Sequence, residues 1–230
     1  TLPLMILLCL PGSLANGTNR VAILAQNVSG SITFRHLGVH DLKQSVILAL
    51  IALPGAALGA YLGTSFSGPW FNRLLAAVML GVLVVTSSKA SHEVPGEPRR
   101  ARLSVRRRGL SYLGIFAAGF YGGFIQAGVG FILIALLHRG MQMRLATVNM
   151  HKIFIVGVYT LVALIIFACR GQVCWVAGIC LALGNSLGAW IGAHVAVSKG
   201  DPIIRIVFRI AVIGMAVALL ARSFYVFTSC

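Results

Sequence analysis

Three stretches of the sequence contain no Asp, Glu, Lys or Arg: Gln44–Asn72 (29 residues), Gly109–His138 (30) and Gly171–Ser198 (28). A helix needs about 20 apolar residues to cross the hydrocarbon core of a bilayer, and there it must satisfy every backbone polar group internally. Each stretch holds at least one such helix. Charged residues make up 10% of the 230-residue chain, against roughly 25% in an average soluble domain. The sequence therefore reads as an all-α polytopic membrane protein.

The charges are unbalanced, 19 basic against 4 acidic. A surplus of that kind serves nucleic-acid binding when it forms one face of a soluble module, and no soluble module is available, so nucleic acid is excluded as a partner. Seven of the bases (Lys89, Arg99, Arg100, Arg102, Arg106, Arg107 and Arg108) fall in the loop Lys89–Gly109, which has two prolines and a net charge of +5. Such a loop is the topogenic signal of the positive-inside rule and is placed in the cytoplasm. It divides the chain into a first membrane repeat (1–88), the basic loop (89–109) and a second membrane repeat (110–230).

About eight hydrophobic segments can be drawn, at 1–15, 18–37, 43–64, 70–88, 110–138, 145–168, 173–197 and 202–222, four on each side of the loop. The halves resemble each other. Gly55, Gly59, Tyr61 and Gly63 align with Gly184, Gly188, Trp190 and Gly192 at an offset of 129, and Ala15–Arg20 aligns with Ala146–Lys152. The glycine-rich start of the fifth segment has no counterpart in the first, so the first repeat reads as truncated, with about 20 residues expected upstream of Thr1. The opening aliphatic run imitates a signal peptide but lacks a basic n-region.

Local chemistry marks some boundaries. Asp41 followed by Gln44 forms a capping-box pattern, and Asp201 precedes a first-turn proline. Glu93 and Glu97 lie in the basic loop, so no carboxylate falls within a span. The five cysteines lack C-x-x-C spacing and are read as free, buried thiols. His36 and His40 have ligand-like spacing, yet beside Arg35 and Lys43 they read as interfacial residues. No metal or other cofactor is expected.

Two features point to function. The fifth segment carries Gly114, Gly119, Gly122, Gly123, Gly128 and Gly130, with Gln126 inside the denser part. Gly119 and Gly123 suit close helix packing, whereas Gly122–Gly130 suits a broken or re-entrant helix, the device by which transporters present half-helix ends to ions. The ladders Gly55/Gly59/Gly63 and Gly184/Gly188/Gly192 read as close-packing faces. In addition, Asn16, Asn19, Gln26/Asn27 and Gly30 form a polar stripe headed by Arg20, matched in the second half by Asn149, Lys152, Tyr159/Thr160 and Ala163, with His151 adjacent. Cation pathways place acids within the spans. Basic residues and amides without acids favour an anion.

The run Ala15–Val21, Phe34–Gly38 with Asp41, the paired Gly-Ala-x-x-Gly-Ala segments, Gly119–Phe124 and Gly171–Trp175 together resemble the TauE/SafE sulfite exporter family. The resemblance spans nearly the whole chain. It implies an integral inner-membrane permease for sulfite, sulfoacetate or related sulfur-containing or organic anions. The leading reading is a secondary transporter of small anions. Its site is drawn from Asn16, Thr18, Asn19 and Arg20 of one half and Gln126, Asn149, His151 and Lys152 of the other. An anion channel is one alternative, and an intramembrane enzyme or assembly factor using His36, His40 or His151 is another. The partners expected are the anion and the bilayer. The sequence leaves open the oligomeric state and whether the repeats are parallel or inverted.

Overall fold

The computed structural model describes Met5 and residues 10–36, 41–65, 105–143 and 145–199. Among these, every regular element is helical: α1 (Gly12–His36), α2 (Leu42–Ser65), α3 (Val105–Phe124), α4 (Val129–Ala135) with a π turn (Leu136–Gly140), α5 (Leu145–Cys169) and α6 (Trp175–Lys199). Helix α2, Thr147–Cys169 of α5 and Trp175–Gly192 of α6 are each long and apolar enough to cross a membrane. The chain divides into two compact units, Thr1–Trp190 and Ile191–Cys230. The proposed segments 70–88 and 202–222, residues 89–104 of the loop, His40 and the Asp201 cap lie outside the described residues.

Asp41 begins α2 as the sequence predicts: its Oδ1 accepts the Gln44 amide at 3.3 Å. Along α2 the glycine ladder acts as a seam for α3. A Cβ on Gly55 or Gly59 would fall on the carbonyl oxygen of Phe116 or Phe120, and a Cβ on Gly119 or Gly123 on that of Ala52 or Ala56. The two backbones touch over two turns, run parallel and gain dispersion contact that any side chain would forfeit. Helix α5 also runs parallel to α2, with His151 beside Ser45 at one end and Gln172 donating to the Thr64 carbonyl at the other. Helix α1 is antiparallel to α5: Gly17 abuts the Gln172 carbonyl and Gly30 faces Ile153. Leu48, Ala52, Ile115, Leu133, Val148 and Ile155 fill the space between them.

The second glycine ladder does not match its expected role. Among the described residues a Cβ on Gly184 or Gly188 would meet no atom within 4 Å, and the large apolar side chains of α6 around them, such as Leu183 and Leu187, are exposed. Helix α6 touches α1 only locally: the Cys174 amide donates to Thr18 Oγ1, Gly178 lies beside Val21, and Ser29 Oγ donates to the Ser186 carbonyl. The same spacing thus serves close packing in α2 and an outward face in α6. The cysteine reading also needs correction. Cys169, Cys174 and Cys180 are free, but Cys169 and Cys180 are exposed, because the C-terminus of α5 and the outer face of α6 carry them away from the core.

The segment drawn as 110–138 is not one span. Its helix begins at Val105, inside the loop assigned from composition, and ends at Phe124. The chain then turns through Gln126 (φ 69°) and Gly128 (φ 74°) and doubles back. Leu136 reaches Gly114, and Gly140 lies against Ser111. Helices α3 and α4 with the π turn therefore form an antiparallel hairpin. Its open end gathers with the C-terminus of α1 and the N-termini of α2 and α5, and this end carries Arg35, Lys43, Arg106, Arg107, Arg108 and Arg139. The opposite end of the described helices carries Arg170, stacked on Tyr61.

Gln142, after the π turn, combines a left-handed backbone (φ 54°) with a buried Oε1 that accepts no hydrogen bond. Both features cost free energy in a non-glycine residue. Gln142→Gly is expected to raise stability by about 1 kcal/mol, read as a higher thermal midpoint in detergent.

Candidate functional site

The tip of the hairpin is where the sequence-predicted polar residues converge. A helix leaves its last four carbonyls without intrahelical donors, and at the end of α3 each has found one. The Tyr121 carbonyl accepts the Ile125 amide at 2.9 Å. Arg20 donates through one terminal nitrogen to the Gly122 carbonyl at 3.4 Å and through the other to the Gly123 carbonyl. The Phe124 carbonyl accepts Asn16 Nδ2 at 2.8 Å. Asn16 and Arg20 stand one turn apart on α1, so both reach the same helix end.

Arg20 is wholly buried. A charge in that position needs compensation, and among the described residues no acid supplies it. The negative end of the α3 dipole does so instead. Gln126 Oε1 accepts a further hydrogen bond from Arg20 at 3.4 Å, and the Phe167 ring lies 4.6 Å below the guanidinium carbon. The Nε donor of Arg20 and the Oδ1 acceptor of Asn16 remain buried without partners. Gln126 also donates through Nε2 to Thr160 Oγ1 at 3.4 Å, and Tyr121 Oη donates to the Ala127 carbonyl at 2.5 Å, so the left-handed tip is held from three helices. Gly122 has no side chain for a reason visible here: a Cβ would sit 2.6 Å from Tyr159 Oη.

The second basic residue meets the other limb of the hairpin. The Lys152 stem passes the start of α4, its Cδ 3.6 Å from where a Gly130 Cβ would be, and its ammonium donates to Asn149 Oδ1 at 3.1 Å. Arg20 is thus committed to backbone carbonyls. The described contact of Lys152 is a single neutral amide.

The other predicted residues lie elsewhere. Thr18 accepts the Cys174 amide and serves the start of α6, Asn19 is buried on α1, and His151 faces Ser45 of α2, its Nδ1 2.7 Å from the hydroxyl. The structure therefore brings Asn16, Arg20 and Gln126 together, sets Lys152 of α5, paired with Asn149, beside the start of the returning limb, and places His151 against α2. Thr160, Tyr121 and Phe167 were not among the site residues expected from sequence. Tyr159 and Thr160 stood in the polar stripe, which was the available signal. Among the described residues no group of three or more His, Cys, Asp or Glu side chains is arranged to hold a metal ion.

The chain is similar to a probable membrane transporter protein, ORF9, of a Sinorhizobium species, 29% identical over 96% of this chain and 83% of that protein. It is also similar to a probable membrane transporter protein of Haemophilus influenzae (27% identical; 89% of this chain, 79% of that one) and to YfcA of Escherichia coli K12, named a probable membrane transporter protein (24%; 97% and 81%). No solved structure matches. The profile of one family, described as sulfite exporter TauE/SafE, matches residues 1–219. With its apolar helices and glycine-rich hairpin, the chain belongs to the TauE/SafE family of membrane proteins.

Proposed function

We propose that the protein is a secondary transporter of small anions, sulfite, sulfoacetate or a related sulfur-containing or organic anion, in the bacterial inner membrane. The observation that carries this reading is the pair of basic residues addressed to one glycine-rich hairpin, in helices whose sequence holds no carboxylate between Leu42 and His92 or between Pro98 and Gly200. The two cations have different tasks. Arg20 neutralises the end of α3 and fixes the tip. Lys152, whose charge meets no acid among the described residues, is left to attract an anion beside Asn149 and the first turn of α4. The family description and the relatives' names support transport over catalysis.

The basic end, with Arg35, Lys43 and the Arg106–Arg108 run, faces the cytoplasm in this reading by the positive-inside rule. The hairpin also returns Arg139 to the side of Arg106–Arg108. Alternating access follows if the hairpin and its α2 seam rock against α1 and α5.

Sulfite uptake into proteoliposomes tests the assignment. Lys152→Ala is expected to raise the half-saturating sulfite concentration by about tenfold or more, with partial recovery in Lys152→Arg. Unchanged half-saturation in Lys152→Ala would remove Lys152 from the site.

A further inference from the structure

We infer that His151 is the proton-binding residue that couples anion movement to a proton gradient; this rests on the transport reading above. The imidazole is wholly buried where α5 meets α2. Its Nδ1 is 2.7 Å from Ser45 Oγ, and the same hydroxyl is 2.9 Å from the Asp41 carbonyl, to which it donates as a residue one turn further along α2. A hydroxyl has one proton to give. Where that proton goes to the Asp41 carbonyl, and not to Met150 Sδ at 3.4 Å or to Nδ1 itself, Nδ1–H donates to Ser45 Oγ and Nε2 carries the lone pair. Nε2 is buried and has no hydrogen-bond partner among the described residues.

A buried acceptor without a donor requires an explanation, and in an imidazole the simplest is a place for a proton. The Nε2 lone pair takes one proton to give an imidazolium, the Nδ1–H bond to Ser45 persists, and breaking the new N–H bond returns the proton. Nothing else is oxidised, reduced or transferred. A cycle that moves one proton with one monovalent anion carries no net charge, and it needs no carboxylate in the spans.

The surroundings set the electrostatics. The ionisable groups carried at this end by the elements packed on α5 are Asp41 and Lys43 of α2, Arg35 and His36 of α1, Arg106, Arg107, Arg108 and Tyr112 of α3, and His138 and Arg139 of the π turn; Lys152 adjoins on α5 itself. Asp41 is the acid among them.

The test uses proteoliposomes loaded with radiolabelled sulfite. Wild-type flux is expected to respond to an imposed pH gradient. His151→Gln is expected to keep sulfite exchange within about twofold while losing the gradient response by about tenfold or more. A His151→Gln variant that still follows the gradient overturns the proposal, as does a wild type that exchanges sulfite and ignores the gradient. If the wild type moves no sulfite, the transport reading fails. Histidine nitrogen NMR in nanodiscs then decides the proton site alone: Nε2 of His151 gaining a proton between roughly pH 8 and pH 5 supports it, and an unchanged spectrum overturns it.

Discussion

Replacing Arg20 by alanine is expected to abolish sulfite flux and to lower stability by about 3 kcal/mol, read as a fall in the thermal midpoint of the detergent-solubilised protein. The loss has three sources. Two carbonyls at the end of α3 lose their donors in a buried setting, the negative end of that helix loses its counter-charge, and a large side chain leaves a cavity over Phe167. Arg20→Lys is expected to recover less than half of this. An ammonium is a point donor, whereas the guanidinium fork spans Gly122, Gly123 and Gln126 at once. Arg20 acts here as a positioning residue, and the double readout separates that role from direct binding. A variant that lost flux but kept the wild-type midpoint would show that Arg20 acts on the anion and leaves the hairpin intact.

The second large effect concerns the glycine seam. Gly59→Ala and Gly123→Ala are each expected to destabilise the protein by about 2–3 kcal/mol, since the added methyl group lands on a carbonyl oxygen of the facing helix and both backbones must separate. Gly188→Ala is expected to be neutral or slightly stabilising, within about 1 kcal/mol, because the methyl group enters open space and alanine is the better helix former. The comparison is internally controlled, since all three substitutions carry the same gain in helix propensity. Equal midpoints for Gly59→Ala and Gly188→Ala would contradict the seam.

The contrast between the ladders shows what the sequence contained and what it did not. Glycines at every fourth position define a smooth face in α2 and in α6 alike, but the partner that makes the face a seam lies about 60 residues along the chain for Gly59, and no pattern local to the glycines reports it. The interruption in the fifth segment was legible, because six glycines in 17 positions disfavour a continuous helix. Its direction was not. The turn-back is fixed by Leu136 against Gly114 and Gly140 against Ser111, contacts between segments that each read as ordinary apolar helix. Arg20 was legible as a basic residue in a polar stripe. Its partners were not, because they are main-chain carbonyls, which every residue has and no side-chain pattern announces. The Asp41 cap, a purely local feature, was read correctly with its partner Gln44. His151 was legible beside the stripe, but nothing in the sequence around Ser45 announced the contact between them.

The hairpin is held by Arg20 and Asn16, and Lys152 is the residue proposed to meet an anion. The most direct test is sulfite counterflow in proteoliposomes preloaded with unlabelled sulfite. A carrier with this site is expected to accumulate labelled sulfite transiently above its external concentration, with the overshoot lost in Lys152→Ala. Labelled sulfite that only equilibrates, or an overshoot of equal height and half-saturation in Lys152→Ala, would contradict it.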